Sequence, residues 1–198
     1  MRDISRLEKF EMFHRKFVTW AKMSITIVTV ASVTLIPTTI SSAEVGTERF
    51  NKRVAVMIKK QEASVKRQLA CLARNVFYEA NGEPMEGQMA VAQVTVNRAR
   101  SGLFPKDLCA VVAQVTYADD KTRVCQFSWM CDSKFDKTRT ISQNSPSYIA
   151  ARRVYLEHQR VESLDNHVYF FHRYDVKIEP NWPHHVVDRI GNHVFYKR

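Results

Sequence analysis

The chain has 198 residues, of which 45% are hydrophobic and 11% aromatic. That suffices for one packed domain and excludes a chain that is disordered throughout. A formal net charge of +10 points to a polyanionic partner, whether nucleic acid, an anionic membrane face or an anionic wall polymer, without choosing among them.

Residues 1–22 are net positive, with Arg2, Arg6, Lys9, Arg15, Lys16 and Lys22 against Asp3, Glu8 and Glu11. An uncharged run then extends over residues 23–40 and ends in Ser41-Ser42-Ala43. A basic flank, an apolar run and small residues at a cleavage point form the three-part pattern of an export signal. The apolar run is also nearly long enough to span a bilayer, although Pro37 interrupts it. Residues 1–43 are therefore expected to be a signal peptide or a retained membrane anchor through residues 23–40. The rest would be exported to the periplasm or cell envelope.

The four cysteines, Cys71, Cys109, Cys125 and Cys131, read as two disulfides in an exported chain. Cys125 and Cys131 enclose a short loop that favours a local bridge, which leaves Cys71 with Cys109. Three connectivities are open on spacing alone, and the spacings match no structural zinc motif.

Residues 44–68 are charged and read as a connector or a frayed helix. From about Ser64 the pattern is helical: Leu69, Leu72, Ala73, Val76 and Phe77 fall at three- and four-residue steps. Gly82 suits the end of that helix, and Pro84 opens the next, running from Met85 to Arg100 with Gly102 closing it. Pro105 and Asp107 begin a short third helix through Val112. Residues 117–143 read as loops with a small hairpin around residues 126–129. Ser145-Pro146 caps and starts a helix to about Val161, and β-like stretches follow at residues 167–172 and 193–196. The expected class is α+β, mostly helical with a small antiparallel β element, for a domain over residues 69–198.

The densest chemistry lies in the run YEANGEP at residues 78–84. It places Glu79 at the carboxyl end of a helix, where the negative end of the dipole and the neighbouring Phe77 and Tyr78 favour a protonated carboxyl. A carboxyl that stays protonated near neutral pH can protonate a leaving glycosidic oxygen. Glu83 is expected to line the cleft wall or hold the turn, and Glu86 to be a first-turn charge. Asn97 reads as a buried amide bracing a loop, and Arg98 as a member of a surface pair.

The run YEANGEP, continued by GQMAVAQVTVNR, then FPKDLCAVV, CQFSWMCD and the tail IGNHVFY, resembles the spore-cortex-lytic type of bacterial cell-wall hydrolase, with its SleB-like catalytic domain. The resemblance covers about residues 69–198. It implies a lysozyme-like α+β fold, peptidoglycan as partner, no cofactor, and glycan-strand cleavage, typically by lytic transglycosylation. The family's catalytic glutamate maps onto Glu79. The resemblance further implies that the loop carrying Gln126 and Ser128 lines the cleft opposite Glu79, with Trp129 as an aromatic platform for sugar faces. In the tail, Tyr169 and His172 are expected cleft residues, although the spacing to Pro180-Asn181-Trp182 departs from the family pattern.

No second carboxylate carries a motif; Asp119, Asp120 and Asp132 are candidates that read equally as turn residues. A two-carboxylate glycosidase needs such a partner, whereas a transglycosylase works with one acid/base, so the transglycosylase is favoured over a muramidase or glucosaminidase. A zinc amidase or peptidase would need a ligand set. His158, His167, His172, His184, His185 and His193 form no helical metal-binding pair, and no metal site is expected. A non-catalytic wall-binding module fits the charge alone. No nucleic-acid-binding signature is present.

Overall fold

The structure is a computed structural model that describes residues 42–117, 121–177 and 185–197. Two compact units divide the chain, Met1–Gly46 and Thr47–Arg198, and the second carries the fold described below. The apolar run at residues 23–40 lies outside the described residues, as do Asp119, Asp120, residues 180–182 and His184. Among the described residues no helix is long and apolar enough to cross a membrane.

The first helix, α1 (Ser42–Ala80), runs through the stretch expected as a connector. Glu48 and Lys52, like Glu62 and Lys66, stand four residues apart with the acid first, the orientation that supports an isolated helical face. Burial begins only at Leu69, where the amphipathic stripe expected from the sequence begins. After α1, Gly82 takes a positive φ of 117°, and Pro84 leads into α2 (Met85–Ser101), which Gly102 closes in the left-handed region. The short α3 (Leu108–Val112) is capped by Asp107, which accepts from the Ala110 N–H.

Strands β1 (Val115–Tyr117) and β2 (Arg123–Cys125) pair antiparallel. The hairpin therefore precedes residues 126–129, and Ser128–Met130 form a 3-10 turn instead. Ser145 caps α4 (Pro146–Tyr155) as expected. That helix stops about six residues early, at a turn where His158 adopts φ 56°. The last sheet has the order β3-β5-β4, all antiparallel, from β3 (Val168–Arg173), β4 (His185–Ile190) and β5 (His193–Lys197). Strand β4 was not legible, because its run His-Val-Val-Asp-Arg-Ile puts two apolar residues side by side and breaks the alternation that marks a half-buried strand. A register shift falls between Val186 and Asp188 in that strand.

Helix α2 is the axis of the domain. Every residue from Gly87 to Arg98 is buried, including Gln88, Gln93, Thr95, Asn97 and Arg98. An amphipathic reading of this helix accounts for one face only. The remaining faces are covered by α1, α4 and the three-stranded sheet, and most of its buried polar groups find hydrogen-bond partners in the surrounding loops and elements, as burial requires. Gln93 donates to Leu164 O (2.6 Å) and accepts from Val161 N (2.8 Å). Asn97 donates to Asp165 O (2.9 Å) and Val168 O (3.1 Å). Gln88 joins Glu83 O (3.0 Å) to the Ser147 hydroxyl (2.9 Å).

The disulfides are Cys71–Cys109 and Cys125–Cys131. The first ties α1 to α3, and the second closes the loop that holds Gln126 and Ser128.

Candidate active site

The site is built at the junction of α1 and α2. Glu79 occupies the last turn of α1, one residue before its end. The backbone there is tightly wound: Asn81 N donates to Phe77 O (3.2 Å) and Glu83 N to Ala80 O (3.0 Å). Tyr78, beside it, turns into a second apolar cluster. Its ring lies 4.7 Å from Trp129 and 5.1 Å from Phe135, and its hydroxyl donates to Asp136 O (2.7 Å). These contacts seat residues 127–136 against the final turn of α1.

Glu79 is half-buried, and burial pushes its carboxyl up from an ordinary 4.5 to about 7, against the opposing pull of the Arg98 cation. Burial is the expected dominant cause, since removing a carboxylate from water penalises its charged form. Among the described residues, the charge acting on it is that of Arg98.

Arg98 is where sequence reasoning missed most. Expected in a surface pair, it is 4% exposed. Its guanidinium carbon sits 5.2, 5.1 and 5.6 Å from the ring centres of Phe104, Phe127 and Phe170. Its Nε donates to Tyr169 O (2.7 Å), while Nη1 is buried without a hydrogen bond among the described residues. Burial drives its pKa down to about 10, and Glu79 acts in the opposite sense. The guanidinium still carries its charge at neutral pH, held in an aromatic cage that favours a cation. The sequence signal available was the aromatic content of residues 104, 127 and 170, which only the fold brings together.

Glu83, expected at the cleft wall or the turn, is committed to the turn. Its carboxylate accepts from Asn192 N (3.0 Å) and Asn192 Nδ2 (2.9 Å). His193 Nδ1 stands 4.0 Å away. Burial pushes the Glu83 carboxyl up, but the Asn192 hydrogen bonds, with His193 and Arg173, outweigh it and hold the group below the usual carboxylate range. Gly191, with φ 58°, lets this happen: a Cβ there would stand 2.0 Å from Glu83 Oε2. The YEANGEP turn and the IGN turn are thus two halves of one clamp.

Two expected cleft side chains, Trp129 and Tyr169, are corrected by their burial, and a third, His172, is half-buried and engaged within the sheet. Trp129 is 2% exposed, and its indole N–H donates to Asn75 Oδ1 (3.0 Å); a ring with both faces packed offers no platform to a sugar. Tyr169 is 7% exposed and packs beside Phe104. His172 stacks on Tyr196 at 5.0 Å. Its Nδ1 faces Arg173 O at 2.5 Å and must donate there, so Nε2 accepts from the Tyr196 hydroxyl. Both ring nitrogens are then used within the sheet. Asp132 serves a turn by accepting from Lys134 N (2.9 Å). Ser128 remains exposed and Gln126 half-buried, so these two keep side-chain surface available.

Trp129→Phe is expected to cost about 2–3 kcal/mol in denaturant unfolding, because it leaves the buried Asn75 oxygen without its donor and a void beside it, and to leave glycan affinity unchanged. Weaker binding at unaltered stability would return Trp129 to the cleft.

The profile of the cell wall hydrolase family matches residues 82–196. Glu79 lies three residues ahead of that segment, and Glu83 within it. Over 41 residues, 21% of the chain, the sequence is 51% identical to the spore cortex-lytic enzyme of Bacillus subtilis, and over the same length 51% identical to that of Oceanobacillus iheyensis. These matches span only 13% and 15% of the two proteins. Among solved structures, the catalytic domain of the Bacillus cereus SleB protein is similar with a TM-score of 0.50 at 22% identity, covering 67% of this chain and 91% of that one. The catalytic domain of the germination-specific lytic transglycosylase SleB from Bacillus anthracis is similar with a TM-score of 0.50 at 24% identity, covering 66% and 93%. The likeness is one of fold and matches the lysozyme-like α+β class expected from the sequence.

Proposed function

The chain belongs to the cell wall hydrolase family, and from that membership we propose that it cleaves the glycan strands of peptidoglycan by lytic transglycosylation, with Glu79 as its general acid/base. The observation that carries the reading is Glu79 itself: a half-buried carboxyl poised at about 7, with a buried cation rather than a carboxylate acting on it. At neutral pH such a group exists in both protonation states, which suits a residue that must give a proton and take one back.

In the proposed reaction, Glu79 gives its proton to the oxygen that links N-acetylmuramic acid to N-acetylglucosamine as the bond from muramic C1 breaks. The muramic C6 hydroxyl oxygen then bonds to C1, and its proton returns to Glu79. The product is a 1,6-anhydro ring, no water is consumed, and the enzyme ends as it began. Arg98 steadies the carboxylate in the interval when it has lost its proton; its own charge survives there because its aromatic cage and the Tyr169 carbonyl hold it in place. Gln126 and Ser128, on the disulfide-closed loop seated against Tyr78, are the proposed hydrogen-bonding groups for the glycan. The two disulfides and the family's wall substrate favour action outside the cytoplasm.

Mass spectrometry of the fragments released from purified sacculi tests the chemistry. Anhydromuropeptides are expected. Reducing muramic ends would instead mean hydrolysis as a muramidase, and reducing glucosamine ends a glucosaminidase.

A further inference from the structure

Helix α1 begins 40 residues before the family match at residue 82, and its first half does not serve the core. Phe50, Met57 and Ile58 are 64%, 62% and 54% exposed. They lie at three-, four- and seven-residue steps with Val54, Gln61 and Val65 on one stripe, so their exposure is a contiguous apolar strip rather than scattered single residues. Val56, also exposed at 61%, falls on the opposite face. Between Thr47 and Arg67 the basic residues are Arg49, Lys52, Arg53, Lys59, Lys60, Lys66 and Arg67, against only Glu48 and Glu62. Arg49, Arg53 and Lys60 follow one border of the apolar strip, and Arg67, at the end of that border, is paired with Asp107.

Charge decides what can cover this strip. If two such helices packed stripe to stripe, the flanking positions would be Arg53, Lys60 and Arg67 on one side and Asn51, Ile58 and Val65 on the other. No acidic residue stands there to pair with the cations, so nothing in the flanks selects a second copy as partner. The strip also turns polar at Gln61 and Ser64, leaving too few apolar steps for a self-paired seam. An apolar strip with Arg49, Arg53 and Lys60 along one border does suit an anionic lipid surface, where apolar side chains enter the acyl boundary and long basic side chains reach the headgroups.

We propose that residues 47–67 of α1 form a lipid-binding face, which lays the helix on an anionic membrane surface through Phe50, Met57 and Ile58 and borders it with Arg53 and Lys60. The proposal is independent of the chemistry at Glu79, since none of these residues contributes to that site.

The test is co-sedimentation of the full chain with phosphatidylglycerol–phosphatidylcholine vesicles and with phosphatidylcholine vesicles, beside a Phe50→Ser/Met57→Ser/Ile58→Ser variant and an Arg53→Glu/Lys60→Glu variant. All substituted residues are exposed, and circular dichroism checks that both variants fold. The apolar run at residues 23–40 is present in all three proteins, so the readout is the preference for anionic over neutral vesicles. Wild type is expected to prefer anionic vesicles by about tenfold, less at high salt, and each variant to lose most of that preference. Equal binding to both vesicle types, or variants that bind as wild type does, would overturn the proposal. So would loss of a concentration-dependent dimer in the serine variant with vesicle binding intact, which would assign the strip to a second copy.

Discussion

Glu79→Gln is expected to lower glycan-strand cleavage by about a thousandfold, within the range a positioned general acid contributes, while the protein keeps its fold. The amide is close to the carboxyl in shape and fits the same half-buried position, but has no proton to give. Release of soluble fragments from sacculi measures the loss; cleavage near the wild-type rate would remove Glu79 from the mechanism. The same residue sets a pH dependence. With the carboxyl at about 7, the proton-donating form declines above neutrality, so kcat/KM should fall on an alkaline limb near that value.

Stability should fall with rising pH as well. The folded protein holds the Glu79 proton up to about 7, whereas the unfolded chain releases it near 4.5. The unfolded state therefore binds fewer protons across that window, and wild-type stability declines as pH rises through it. Glu79→Gln escapes the decline. Its advantage should be negligible below pH 4.5 and reach about 2 kcal/mol above neutrality, allowing for partial solvent screening. A functional carboxyl that destabilises its own fold is the expected trade at an active site.

The parts of this architecture that local chemistry dictates were legible in the sequence. Gly82, Pro84 and Gly102 mark the ends of α1 and α2 because positive φ and a missing N–H leave few alternatives. Ser145-Pro146 marks the start of α4 for the same kind of reason, and Glu79 stands out because it is tied to the first of these turns. Other features depend on long-range packing and leave no local trace. Nothing near Arg98 announces that Phe104, Phe127 and Phe170 will surround it. Trp129 reads as a platform because an aromatic in a polar loop usually lies open, yet Asn75, on a buried face of α1, offers the partner its indole N–H needs. Glu83 shows both sides: its place in a motif was visible, but its partners lie 109 residues away in sequence.

That distant pairing leads to the second large effect. Glu83→Ala is expected to cost about 1–3 kcal/mol, because it removes the charged acceptor of two Asn192 donors. Gly191→Ala should reach nearly the same state from the other side. Its new methyl would stand 2.0 Å from Glu83 Oε2 at a φ of 58°, so it must expel the carboxylate from its hydrogen bonds as well as strain the backbone. The two changes therefore act on one interaction and should not add. In the Glu83→Ala background, Gly191→Ala should cost only the left-handed backbone penalty of about 1 kcal/mol. A double-mutant cycle in denaturant unfolding would then give a coupling of about 1–2 kcal/mol. Activity should fall about tenfold in kcat, since the turn that Glu83 anchors begins two residues after Glu79 and small misplacements of a catalytic group are costly. Additive stabilities would dissolve the clamp, and a rise in KM alone at unchanged stability would make Glu83 a substrate contact instead.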